Sequence, residues 1–92
     1  MDWDNPQEET IVAIASAIAA GNGGVAIVRL SGPSAIEIGK EVVSIPGKHQ
    51  WKSHTVLYGY VMEPEGQERI DEVLVLIMNK PRSFTGEDVV EI

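Results

Sequence analysis

Cysteine is absent from the 92-residue chain, so disulfides cannot supplement the core, and cysteine-based metal or redox sites are excluded. That composition suits a reducing cytoplasm. Long apolar runs are missing too, since the longest, Val73 to Met78, is far too short to cross a bilayer. The opening Met1-Asp2-Trp3-Asp4 has no basic region and does not read as a secretory signal. The expectation is a soluble, cytoplasmic protein with no membrane partner. Basic residues are few, 7 against 14 acidic ones, for a net charge of -7. Arg29, Lys40, Lys48, Lys52, Arg69, Lys80 and Arg82 stand singly. Phosphate backbones are gripped by clustered Lys and Arg, so this segment is not expected to hold nucleic acid directly. No Gly-x-x-x-x-Gly-Lys-Ser/Thr sequence occurs, which excludes nucleotide binding of the P-loop kind.

What remains is enough for one domain and no more. Residues 1–9 read as a flexible acidic leader carrying Asp2, Asp4, Glu8 and Glu9, and residues 10–92 as a partial α+β domain. Thr10 to Ala19 mixes β-branched residues with alanines and suits strand or helix. The Gly21-Asn22-Gly23-Gly24 cluster and the β-rich run Val25 to Leu30 turn the region into strand-turn-strand. A strand after those glycines, where a phosphate loop needs a helix, makes them a tight turn.

Ser31-Gly32-Pro33-Ser34 then opens a helix at about residues 33–44, with Ser34 and Glu37 spaced as a capping box. Ala35, Ile38 and Val42 share its apolar face, and Pro46-Gly47 ends it. His54 to Glu63 and Ile70 to Asn79 form a hairpin around the turn Glu63-Pro64-Glu65-Gly66. A loop from Lys80 to Asp88 leads into a last strand at Val89 to Ile92. The fold expected is a mostly antiparallel or mixed sheet of four to five strands with one helix, an incomplete domain. The run Val73 to Met78 does not alternate, which calls for cover on both faces of its strand. One helix covers only one face, so more chain or a second subunit is expected to supply the other.

His49 and His54 lie five apart in a polar connection without a carboxylate pair at metal spacing, and read as solvated residues. Trp51 is expected to pack its loop onto the core. Arg29 shares a strand face with Val25 and Ile27, and a charge there needs an anion. The candidates are a ligand, an internal pair with Glu87, Asp88 or Glu91, or escape to water. Ser83-Phe84-Thr85-Gly86-Glu87-Asp88 gathers polar groups in a loop between strands, a common place for function. Glu91 sits in an otherwise apolar strand, and its carboxylate suits a guanidine-like edge, whether of Arg or of a pterin ring.

Three blocks then resemble the start of the tRNA-modification GTPase family MnmE, also called TrmE. They are Thr10-Ile11-Val12-Ala13, the run from Gly23-Gly24-Val25-Ala26 through Arg29-Leu30-Ser31-Gly32, and Ser83-Phe84-Thr85-Gly86-Glu87-Asp88-Val89-Val90-Glu91. Together they cover the chain from about Thr10 to Ile92. The resemblance implies a domain like the tetrahydrofolate-binding domains of one-carbon enzymes, which binds 5-formyl-tetrahydrofolate and forms a homodimer with the folate near its interface. It places the family's folate-contacting arginine on Arg29 and its glutamate on Glu91. It further implies a parent GTPase that, with the flavoprotein MnmG, modifies C5 of the wobble uridine of tRNA. The family's Gln/His-Gly-Gly stretch, a further folate-contacting lysine, the GTPase motifs and the C-terminal cysteine motif are not in these residues. GTP, Mg and K would act through those other domains, tRNA would be gripped elsewhere, and no catalytic residue or metal site is expected in this segment. Two rivals stand beside this reading: an interaction module that dimerises without folate, and a one-carbon enzyme related to glycine-cleavage aminomethyltransferases. The short chain and the lack of an acid/base pair speak against the second.

Overall fold

The computed structural model describes residues 9–15, 25–66, 68–81, 83 and 85–92. The leader up to Glu8 with Trp3, the end of the first apolar run at 16–19, the glycine-rich turn at 21–24, Arg82 and Phe84 lie outside the described residues.

Among the described residues, six strands and one helix follow in the order β1 (Ile11–Ile14), β2 (Val28–Ser31), α1 (Ala35–Val42), β3 (Val43–Ser44), β4 (Thr55–Met62), β5 (Arg69–Met78) and β6 (Val89–Glu91). They build one sheet, β1-β2-β6-β5-β4-β3, in which every pairing is antiparallel. The class is mixed α+β, as expected, but the sheet has six strands rather than four to five. The extra one is β3. The anticipated helix of about 33–44 stops earlier, because Val43 leaves the helix at φ -120° and ψ 134° and pairs with Val61. Val43 and Ser44 therefore count as strand. Val25 to Ile27 precede β2 and are not part of it.

The anticipated capping box is also not formed. Ser34 is the N-cap, yet its side chain makes no capping bond; its N–H instead donates to Thr10 Oγ1 at 2.9 Å. That contact brings the lead-in to β1 hard against the helix start. A Cβ on Gly32, whose φ is +141°, would sit 2.5 Å from Thr10 Cα, so only glycine fits there.

Antiparallel register decides which side chains the helix covers. Leu30 faces Val90, Val90 faces Ile77, and Leu57 faces Val75. These residues are buried and form the core with Ala35 and Val43. Trp51 packs against this cluster as expected, with its ring under Gly39 of α1. On this side of the β5 run Val73–Met78, Val75 and Ile77 are fully buried; on the helix-free side Leu74 is 64% exposed and Leu76 and Met78 are half-buried. Among the described residues, the one helix crosses only one of the two faces.

Gly59 explains how β3 reaches the sheet edge. A Cβ there would lie 2.4 Å from the Ser44 carbonyl oxygen and 2.6 Å from Ile45 Cδ1. Gly59→Val is expected to push β3 off β4, costing about 1–3 kcal/mol as overpacking does. Hydrogen exchange at Ser44 and Tyr60 should accelerate, with β5–β6 amides unchanged; undisturbed protection at those two positions would refute this packing account.

Candidate functional site

Among the described residues no helix lies on the side of the sheet opposite α1, and β2 and β6 project Arg29 and Glu91 onto that side. The two are direct register partners. Arg29 Nε donates to Glu91 Oε2 at 2.8 Å, and Nη2 lies 2.7 Å from the same oxygen. Of the internal partners open to Arg29, the fold brings together Arg29 and Glu91, and Glu87 turns instead to Ser31. Glu91 is buried, at 9% exposure, while the Arg29 side chain remains one-third exposed. A buried carboxylate is costly without a cation, and Arg29 supplies that cation. Both of these contacts fall on Glu91 Oε2.

Glu91 also lines an open cleft of about 610 Å³ whose walls include Ala26, Ile27, Val56, Leu74 and Leu76. Its size falls within the roughly 300–1,000 Å³ of small-molecule sites, and apolar walls around a few polar groups are the usual make-up of such sites. Period-two alternation explains the composition: Val56 and Leu76 are register partners, and Leu76 is also paired with Glu91. One row across the open face therefore reads Arg29, Glu91, Leu76, Val56. This is a charged pair running into an apolar floor.

Beyond that floor lies an aromatic group that sequence reasoning missed. The Tyr58 and Tyr60 rings meet edge-to-face with centroids 5.6 Å apart, and the Arg69 guanidinium carbon lies 3.8 Å from the Tyr60 ring centroid. The Tyr58 hydroxyl donates to Tyr60 Oη at 3.4 Å, which raises its pKa above the usual phenol range, with partial desolvation and nearby Glu72 acting in the same direction. The signal was in the sequence as Val56, Tyr58 and Tyr60 at alternate positions of one strand. The polar loop before β6 was legible, but its anchor was not: Ser31, only 3% exposed, holds Thr85 at 2.8 Å and Glu87 at 3.1 Å. His49 and His54 are both exposed, and His54 Nδ1 lies 2.7 Å from the Ser53 hydroxyl. Among the described residues no group of three or more His, Asp or Glu side chains is placed to hold a metal ion, and no helix is long and apolar enough to cross a membrane.

A family model described as GTP-binding protein TrmE N-terminus matches residues 10–92. The chain is 66% identical over 87 residues to the tRNA modification GTPase MnmE of Prochlorococcus marinus strain MIT 9303, covering 95% of the chain and 19% of that protein. Against the protein of the same name from Synechococcus sp. strain CC9902 it is 58% identical, with 95% and 19% covered. Against that of Prochlorococcus marinus strain NATL1A it is 56% identical over 92 residues, covering 100% of the chain and 20% of the relative. The chain thus spans about a fifth of the length of these curated relatives.

Proposed function

Because the chain belongs to the TrmE N-terminal family, we propose that it is the folate-binding and homodimerising part of a cytoplasmic GTPase that modifies tRNA. In this reading a flavoprotein of the MnmG kind is the partner, and C5 of the wobble uridine is the position modified. GTP, Mg and K act through other parts of the complete polypeptide, and so does the grip on tRNA. This segment contributes no GTP hydrolysis of its own. The carrying observation is the Arg29–Glu91 pair on an open sheet face beside an apolar cleft.

The residues fit a reduced pterin with a one-carbon substituent. Its guanidine-like edge offers N–H donors, and Glu91 offers a buried carboxylate of the kind that accepts them. Arg29 balances the charge of Glu91, and its guanidinium is the group suited to a ligand carbonyl or carboxylate. Ala26, Ile27, Leu74 and Leu76 give the ring a dry wall. The folate itself supplies the one-carbon unit when bound; these side chains bind and orient it. Calorimetric titration of the complete polypeptide with 5-formyl-tetrahydrofolate is expected to give saturable binding. Absence of binding up to millimolar folate would end the proposal.

Dimerisation has its own observation. Val56, Tyr58, Ile70 and Leu74 leave a large apolar area exposed on the hairpin β4–β5, and such patches usually mark an interface. Arg69 and Glu72 stand beside it, so both signs of charge are available to a two-fold-related copy. Leu74→Glu in the complete polypeptide is expected to weaken self-association by about 30-fold or more, the effect of losing an interface anchor. Sedimentation at several concentrations reads this, and an unaltered dimer would exclude the hairpin face as the contact.

A further inference from the structure

We propose that Ser31, Thr85 and Glu87 form a closed hydrogen-bond ring that positions β6 against β2, and so sets the Arg29–Glu91 geometry on which ligand affinity depends. The inference rests on the folate reading of that pair and adds three positioning residues to it.

The direction of the ring follows from its members. An ionised carboxylate only accepts, so the Ser31 hydroxyl donates its single proton to Glu87 Oε2 at 3.1 Å. Ser31 Oγ must then accept from the Thr85 hydroxyl across their 2.8 Å contact. Thr85 Oγ1 in turn accepts from the Glu87 N–H at 3.3 Å. Each hydroxyl donates once and accepts once, and the last donor and first acceptor belong to the same residue. Linked bonds of this kind polarise one another, and a partly broken ring would leave the buried Ser31 hydroxyl unsatisfied.

Placement gives the ring its consequence. Ser31 lies two residues from Arg29, on the same face of β2. Thr85 and Glu87 lie on the approach to β6, which carries Glu91. The backbone already ties these strands through the Gly32 N–H bond to Asp88 O at 2.9 Å and through register pairs from Ser31–Val89 to Arg29–Glu91. Backbone pairing fixes the register but does not by itself fix strand tilt or the side-chain angles above the sheet. The ring acts above the sheet, on Arg29's own side. It clamps the near end of β6 to β2 one pleat away from the charged pair. A buried serine and a carboxylate are a poor choice for stability alone, where two apolar side chains would serve as well.

The test uses the complete polypeptide and 5-formyl-tetrahydrofolate, with affinity measured by calorimetry and folding checked by circular dichroism and thermal melting. Thr85→Val keeps the shape and removes the hydroxyl, while Thr85→Ser keeps the hydroxyl. Thr85→Val and Ser31→Ala each remove two of the ring's three bonds and are expected to weaken folate binding by about tenfold. Thr85→Ser is expected to bind within about twofold of the parent protein. Melting temperature lowered with unchanged affinity in Thr85→Val would overturn the positioning role and leave a purely structural one. Equal losses in Thr85→Ser and Thr85→Val would overturn it as well, by assigning the effect to the methyl group. Arg29→Ala is measured in parallel. If it too binds folate normally, the underlying folate reading fails; if it alone loses binding, only the ring fails.

Discussion

Arg29→Ala in the complete polypeptide is expected to weaken 5-formyl-tetrahydrofolate binding by about 100-fold or more. Two losses combine. The ligand loses charge-assisted N–H donors, worth about 1.5–3 kcal/mol for a hydrogen bond to a charged group. Glu91, at 9% exposure, also loses the cation that lies 2.7 Å from its Oε2, and breaking such a pair costs about 3–5 kcal/mol. Part of the second loss falls on the free protein, so the binding defect is smaller than the sum. Arg29→Lys is expected to be nearly as poor, because an ammonium cannot place two N–H groups on one carboxylate as Nε and Nη2 do. Glu91→Gln should weaken binding too, since it replaces an anionic acceptor with a neutral amide. Arg29→Ala and Glu91→Ala together should cost less than the sum of the two single changes, because the side chains touch and the double variant leaves no orphaned charge. Strict additivity in calorimetric affinities would mean that the pair does not act as a unit.

The second large effect concerns the sheet beneath that site. Ile77→Ala is expected to lower the opening free energy of β5 and β6 by about 2–5 kcal/mol, the usual cost of emptying a fully packed aliphatic position. Ile77 is 0% exposed, pairs with Thr55 on one side and Val90 on the other, and its carbonyl accepts the His54 N–H at 2.7 Å. The control lies three residues away in the same apolar run. Leu74 is 64% exposed in the single chain, so Leu74→Ala should change the local stability of the polypeptide, diluted below its self-association, by no more than about 0.5 kcal/mol. Native-state hydrogen exchange in the complete polypeptide measures both. Equal losses at the two positions would mean that the open face is covered as fully as the helical one.

That contrast within one run shows what the sequence could and could not tell. An unbroken apolar stretch from Val73 to Met78 announces a strand with two faces to cover, but not which face the chain covers itself. Only β2-α1-β3 connectivity decides that, by laying the helix over Leu30, Val90 and Ile77. The hairpin β4–β5 was legible because its turn residues and β-branched content agree with each other. β3 was not, since two residues after a helix carry no periodicity of their own, and Val43 falls close to the apolar face of a helix continued through it. The capping box failed for a related reason: a tertiary donor-acceptor contact between Ser34 and Thr10 displaced a local one.

At the candidate site, the charge pattern went further than the element boundaries. Arg29 and Glu91 were readable as misfits, each a charge among apolar neighbours in a strand, and misfits of that kind find each other or a ligand. Their contact, 62 positions apart in the chain, depends on β6 inserting between β2 and β5. Sequence spacing does not give that insertion. Tyr58, Tyr60 and Arg69 escaped notice because exposed aromatics on a strand look like ordinary strand formers until the neighbouring strand brings a guanidinium over one of them.

The most direct test is a crystal structure of the complete polypeptide grown with 5-formyl-tetrahydrofolate. The account predicts the pterin on the helix-free face of the sheet, within hydrogen-bond distance of Glu91 and Arg29. Folate bound on the α1 side, or anywhere out of reach of both residues, would contradict it.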